Sequence, residues 1–303
     1  MDNITLRQLR YFDALARVGH FGRAADSCAI SQPALSVQIK ELETSLGTPL
    51  FERGPRHVRL TGFGEAFAQR VKGILRAVDE LSDMARTAEG RLTGRLRLGV
   101  IPTIAPYLLP TFLRLLPETH AGLDISLRET MTARLIGELN DGQLDAAIVA
   151  LPVSEPGLTE VALFEENMVL LRPASEADHP APSPAELTGL RLLLLEEGHC
   201  FRDQALSFCN LPGGLARDGL DGTSLSTLVQ MVGAGMGVTL IPEMALPVEG
   251  RSAPVSATGF AGGQPSRRVG MIWRESTPLA DHLMQIASVV EQAGRDILRS
   301  ARG

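Results

Sequence analysis

Cysteine is scarce in this chain, with three among 303 residues: Cys28, Cys200 and Cys209. Such scarcity excludes a small extracellular scaffold stapled by several disulfides. It also leaves a zinc site short of donors, since His199 alone stands near the close pair Cys200 and Cys209 and four ligands are needed. No metal and no cofactor is expected. A secretory signal is missing too: Asp2, Arg7, Arg10, Asp13 and Arg17 interrupt the apolar stretch that one requires. The longest uncharged run, residues 222–242, is broken by Gly233, Gly235 and Gly237, and reads as helix, turn and strand, not as a membrane span. The expectation is a cytoplasmic protein with no membrane partner, in a compartment where thiols rest free.

A large excess of positive charge is also lacking. The net charge of −6 argues against indiscriminate coating of nucleic acid, but it averages over unlike parts. Residues 1–60 carry eight Lys/Arg against six Asp/Glu, so they are slightly basic on an acidic remainder. That balance suits a small nucleic-acid module on a larger body. The length allows two or three domains.

The first sixty residues contain three short helical patterns. Leu6, Leu9, Phe12 and Ala16 repeat at helical spacing up to Gly19, and Phe21, Ala24, Ala25 and Cys28 form a second apolar stripe. Cys28 on that stripe reads as a small core hydrophobe. Ser31 is a good N-cap and Pro33 suits the first turn of a third helix. In it Leu35, Ile39, Leu42 and Leu46 face inward, while Pro33, Ser36, Val37, Lys40 and Thr44 face outward. Two helices joined by a tight turn, the second with a polar outer face, describe a helix-turn-helix unit. Arg53, Arg56 and Arg59 follow it closely and suit a wing that straddles phosphates.

From residue 61 to about 88, Phe67, Val71, Ile74, Val78, Leu81, Ala85 and Ala88 step alternately by four and three. That is a heptad seam, suited to a dimerising rod about 40 Å long. Gly90 and Gly94 mark a hinge after it. Beyond the hinge, strands expected at residues 95–101, 123–128 and 144–151 alternate with helices from 102 to 116 and from 132 to 140. This order predicts a parallel sheet flanked by helices. Strands at 169–172, 190–195 and 238–241, with a helix at 224–233, suggest a second unit of the same kind. A strand at 268–273 and a helix at 279–298 are placed back on the first unit. Residues 248–265 receive no role. In such sheets ligands bind beyond the carboxyl ends of strands, which brings Thr103, Thr130, Thr132 and the His199-Cys200 pair to one edge.

The matched spacings resemble one family. Phe21-Gly22-Arg23-Ala24-Ala25, Ser31-Gln32-Pro33-Ala34-Leu35-Ser36, Ile39-Lys40-Glu41-Leu42-Glu43, Leu50-Phe51-Glu52-Arg53 and Leu60-Thr61-Gly62-Phe63-Gly64 look like the winged helix-turn-helix of LysR-type transcriptional regulators. The resemblance implies an α/β protein of three parts. They are a winged helix-turn-helix domain (1–60), a long linker helix and hinge (61–90), and a two-lobed effector domain similar to periplasmic binding proteins (91–303). Lobe I takes residues 91–165 and 266–303, and lobe II takes 166–265. It also implies binding of double-stranded operator DNA as a homodimer or homotetramer, contact with RNA polymerase, and no enzymatic turnover. On the DNA side it implies Gln32, Pro33, Ser36 and Lys40 on the helix entering the major groove, with Lys40 and Arg53 as phosphate anchors.

The segment Gly198-His199-Cys200-Phe201-Arg202-Asp203-Gln204-Ala205, with Cys209 after Phe208, resembles the redox segment of the peroxide-sensing members of that family. This likeness implies that hydrogen peroxide oxidises Cys200, that Cys209 resolves the product as a reversible disulfide, and that Thr103, Thr132 and His199 place peroxide and water. Arg202 and Asp203 would belong to the same network. His199, Arg202 and a helix N-terminus are the expected aids to a reactive thiolate. If the segment from Arg202 onward is helical, nine positions turn the two thiols roughly 900° apart and separate them by about 13 Å, whereas a disulfide needs Cα atoms within about 7 Å. Bridging would then open the helix. The alternatives are a LysR-type regulator whose cleft binds a metabolite, a peroxidase-type enzyme, or two spectator cysteines.

Overall fold

The computed structural model describes residues 4–53, 58–87, 93–183, 186–208 and 221–302, in two compact units, Met1–Ala85 and Arg86–Gly303. In the first unit, α1 (Leu6–Val18) opens with a capping box between Thr5 and Gln8 and ends at Gly19. The next helix, α2 (Phe21–Ser27), is capped by the His20 ring. Cys28 sits at its C-cap, half-buried against the small core. As its residue pattern requires, α3 (Gln32–Leu46) starts on Ser31 and stops at Gly47, whose backbone is left-handed. Leu35, Ile39 and Leu42 are fully buried with Leu9, Phe12 and Leu15. The hairpin β1 (Phe51–Arg53) and β2 (Val58–Leu60) is antiparallel. It is tied to α3 by the Glu43 carboxylate, which accepts from the Leu50 and Phe51 amides at 2.9 and 3.2 Å.

The long helix α4 (Gly62–Thr87) follows. Phe67 anchors its first turns on the Phe12 ring, 5.0 Å away, and Val71 is buried. Further along the expected seam, Ile74 and Leu81 stand exposed with Met84. Ala88 of that seam lies outside the described residues.

The second unit begins with β3 (Gly94–Val100), α5 (Ala105–Thr119), β4 (Leu123–Glu129), α6 (Thr132–Asn140) and β5 (Ala146–Leu151). Strand β3 pairs in parallel with both β4 and β5. There follow β6 (Leu158–Pro173), β7 (Leu194–Leu195), α7 (Cys200–Phe208), β8 (Asp221–Gly222), α8 (Leu225–Gly233), β9 (Thr239–Pro242), α9 (Leu246–Glu249), β10 (Val255–Thr258), β11 (Ser266–Arg274) and α10 (Ala280–Arg302).

The sheet order is β10-β6-β11-β5-β3-β4, with β9 also paired to β6. The parallel pairing expected of β3, β4 and β5 is present, and β11 adds antiparallel pairings with both β5 and β6. The return of β11 to the sheet of β3 to β5 was expected; its place between β5 and β6 was not. The strands after β6 do not repeat the parallel order of β3 to β5. Strands β9 and β10 are antiparallel to β6, and β7 and β8 form a two-residue parallel pair. The expected four-residue strand at 169–172 is the end of a sixteen-residue strand. One strand therefore pairs with β11 along its first half and, from Met168, with β9 and β10 along its second.

Candidate functional site

Cys200 is the first residue of α7. The chain reaches it from β7 through a turn at Gly198, where φ is +96° and a Cβ would meet the Met131 sulfur at 2.9 Å. The positive φ is what favours glycine there. Phe201, Ala205 and Leu206 bury one face of α7. Arg202 donates to the Leu195 carbonyl at 2.7 Å, fastening the first turn to the end of β7. The expected helix after Cys200 is therefore present, and it starts two residues earlier than expected. It runs to Phe208; Cys209 lies outside the described residues.

Three chain segments close a cavity in front of Cys200. Ile101, Pro102 and Thr103 follow β3, Met131 and Thr132 open α6, and Gly198 to Phe201 open α7. The space is about 10 Å³, room for roughly one water-sized molecule. Its lining is both apolar and polar. Among the described residues, the Thr132 hydroxyl and His199 Nε2 are buried without a hydrogen-bond partner. Burial pulls the His199 pKa below the usual histidine value, against an opposing pull from Glu196. A buried ring of this kind stays neutral near pH 7. That direction favours a neutral, hydrogen-bonding ring at the cavity.

A residue that the sequence reading missed stands behind this cavity. Arg267 on β11 donates to the Thr103 hydroxyl oxygen at 2.7 Å and to the Thr103 carbonyl at 2.9 Å. It also pairs with Glu166 of β6 at 2.7 Å, both side chains fully buried, and lies 5.3 Å from the centre of the Phe201 ring. Because the Thr103 oxygen accepts from Arg267, its own proton is left to donate elsewhere. Burial pushes the Glu166 carboxyl up while Arg267 pulls it down. At the start of β11 Arg267 and Val269 are buried while Ser266 and Arg268 are exposed, and two adjacent arginines give no sequence signal for which of them turns inward.

The structure thus brings together Thr103, Thr132, His199 and Cys200. It does not bring Arg202 or Asp203 to the same cavity. Arg202 is buried on the Leu195 side, and Asp203 is exposed along a separate groove of about 560 Å³ with Gln204, Ser207, Phe208 and Arg268. Helical rotation explains Arg202, since the second position after Cys200 turns about 200° from the face that carries it. Among the described residues no three His, Cys, Asp or Glu side chains are grouped to hold a metal. Among them too, no helix is long and apolar enough to cross a membrane.

On the other unit, α3 presents Gln32, Pro33, Val37, Lys40 and Thr44 exposed and Ser36 half-buried. Arg53 ends β1; its side chain lies outside the described residues. A charged and amide-bearing helix face beside a hairpin is the arrangement that a major-groove reader presents.

Comparison with known proteins agrees with both units. Residues 6–65 match the bacterial regulatory helix-turn-helix protein, lysR family, and residues 89–292 match the LysR substrate binding domain. The Escherichia coli K12 DNA-binding transcriptional dual regulator OxyR is 40% identical over 292 residues, 95% of each chain. Full-length OxyR from Pseudomonas aeruginosa, solved as a cysteine-to-aspartate variant, superposes with TM-score 0.76 at 34% identity, covering 96% of this chain and 95% of that one. A cysteine-to-serine variant of Corynebacterium glutamicum OxyR, solved with H2O2 bound, gives TM-score 0.68 at 35% identity, covering 99% and 95%. The chain belongs to the LysR family of bacterial regulatory helix-turn-helix proteins, in the branch that contains these OxyR proteins.

Proposed function

We propose that the chain is a DNA-binding transcriptional regulator that senses hydrogen peroxide through Cys200, with Cys209 as the resolving thiol. The observation that carries this reading is the cavity at Cys200, about 10 Å³, with a hydroxyl at Thr132 and a ring nitrogen at His199 that are unpartnered among the described residues. A small, doubly hydrogen-bonding molecule such as hydrogen peroxide matches those groups, and the tight space disfavours anything much larger. The cysteine sulfur attacks one peroxide oxygen and the O–O bond breaks. Cys200 becomes a sulfenic acid and the other oxygen leaves as water with the displaced protons. The Cys209 thiol then attacks that sulfur, releasing a second water and forming a disulfide. Thr103, held by Arg267, and Thr132 and His199 orient the reacting oxygens. Arg202 supports the start of α7, and Asp203 acts only when α7 rearranges.

On the DNA side, Gln32 and Ser36 read base edges, Pro33 starts the reading helix, and Lys40 and Arg53 hold phosphates. The exposed apolar positions of α4 carry dimerisation, and pairs of effector domains complete a tetramer. RNA polymerase is the partner at the promoter. A metabolite-binding site needs several hundred Å³, far more than the space beside Thr103 and Thr132.

The test is a DNase footprint on operator DNA with and without hydrogen peroxide. Cys200→Ser should bind DNA with a footprint that peroxide leaves unchanged. A peroxide-dependent change in that variant would place the sensor elsewhere.

A further inference from the structure

Met131 is an unexpected residue where it stands. It occupies the N-cap of α6 and makes no side-chain capping bond, although Ser, Thr, Asp or Asn would serve the helix better there. Helix formation therefore does not account for it. Its thioether instead packs against Gly198, close enough that a Cβ on that residue would lie 2.9 Å from the sulfur. From there it walls the cavity that Thr103, Thr132, His199 and Cys200 line.

The other apolar walls are fixed. Ile101 and Phe201 are 2% and 3% exposed members of the core, and Pro102 is rigid by its ring. Met131 is only partly buried and has three rotatable bonds. It is the wall whose size decides the room left beside Cys200.

We infer that Met131, seated against Gly198, is a specificity-determining residue that admits hydrogen peroxide to Cys200 and shuts out organic hydroperoxides. This rests on the peroxide-sensing reading of Cys200. The chemistry is the same for both oxidants: Cys–SH and ROOH give Cys–SOH and ROH. Only the size of R differs. A tert-butyl group adds four carbons to a space of about 10 Å³, and the Met131 thioether stands in its path. Replacing Met131 by alanine removes three heavy atoms, on the order of two waters' volume. A single methylene in an apolar pocket already changes discrimination by about 10-fold or more.

The experiment compares second-order rate constants for loss of the Cys200 thiol, read by alkylation and mass spectrometry. The full-length protein and its Met131→Ala, Met131→Ser and Met131→Leu variants are each treated with hydrogen peroxide or tert-butyl hydroperoxide. The serine variant supplies a capping hydroxyl and guards against loss of α6. The leucine variant keeps the bulk and removes the sulfur. The preference for hydrogen peroxide should fall about tenfold or more in the alanine and serine variants and stay near the parent value in the leucine variant. An unchanged preference in the alanine and serine variants overturns the inference while leaving peroxide sensing intact. A parent protein whose Cys200 does not react with hydrogen peroxide overturns both.

Discussion

Replacing Ala205 by glycine should speed disulfide closure between Cys200 and Cys209 without speeding the oxidation of Cys200. The reasoning begins with the length of α7. Eight residue steps from Cys200 to Phe208 span about 12 Å along a helix axis. One further residue recovers at most about 3.8 Å, so with α7 intact the two cysteine Cα atoms stay about 8 Å apart or more. A disulfide tolerates about 7 Å. Closure therefore requires α7 to open, and the cost of opening enters the closure rate. Ala205 is central in α7 and 1% exposed. Glycine there removes a buried methyl worth about 0.8 kcal/mol and lowers helix propensity by about 0.9 kcal/mol. Together these give roughly 1.7 kcal/mol, or up to about 15- to 20-fold in rate at about 1.4 kcal/mol per decade. Rapid-quench trapping separates the two steps, with a sulfenic-acid probe for the first and loss of the Cys209 thiol for the second. An unchanged second step, in a protein whose α7 amides exchange faster, would refute the requirement for opening.

The remaining predictions concern charge. His199 is held neutral by burial, so below its unfolded pKa near 6.5 the unfolded chain binds a proton that the folded chain does not. Its stabilising effect is full above about pH 6.5 and declines as pH falls toward its lower folded value; urea titrations should show a shallower acid decline for His199→Gln than for the parent. Removing Glu166 leaves Arg267 as a buried unpaired cation and should destabilise the effector domain by about 3–5 kcal/mol, measured by denaturant unfolding, with a loss below 1 kcal/mol contradicting the burial of that pair. Lys40→Ala should weaken operator and nonoperator DNA alike and reduce the salt slope by about 1, while Gln32→Ala should relax base preference; fluorescence anisotropy across salt concentrations separates the two effects.

The reading of α3 from the sequence was accurate because Ser31, Pro33 and Gly47 are local signals that act within a turn of the helix. The mixed sheet was not legible, since the insertion of β11 between β5 and β6 joins residues a hundred positions apart. The first half of β6 escaped because Glu160, Glu165 and Glu166 interrupt its apolar residues, and one of them is a buried partner of Arg267. At the site, Thr103, Thr132, His199 and Cys200 were found because each follows an expected strand, although β7 pairs with β8 apart from the main sheet. Arg267 and Met131 were not, because both act from positions whose local pattern looks structural. The burial of the His199 ring is not something that a single sequence shows.

The central claim is that Cys200 and Cys209 form the switch, and thiol-trapping mass spectrometry after a brief exposure to stoichiometric hydrogen peroxide tests it most directly. The account predicts a Cys200–Cys209 disulfide, reversed by a dithiol reductant, with Cys28 alkylated as a free thiol throughout. Oxidation at Cys28 ahead of Cys200, or loss of the Cys200 thiol with Cys209 still free and reactive, would contradict it.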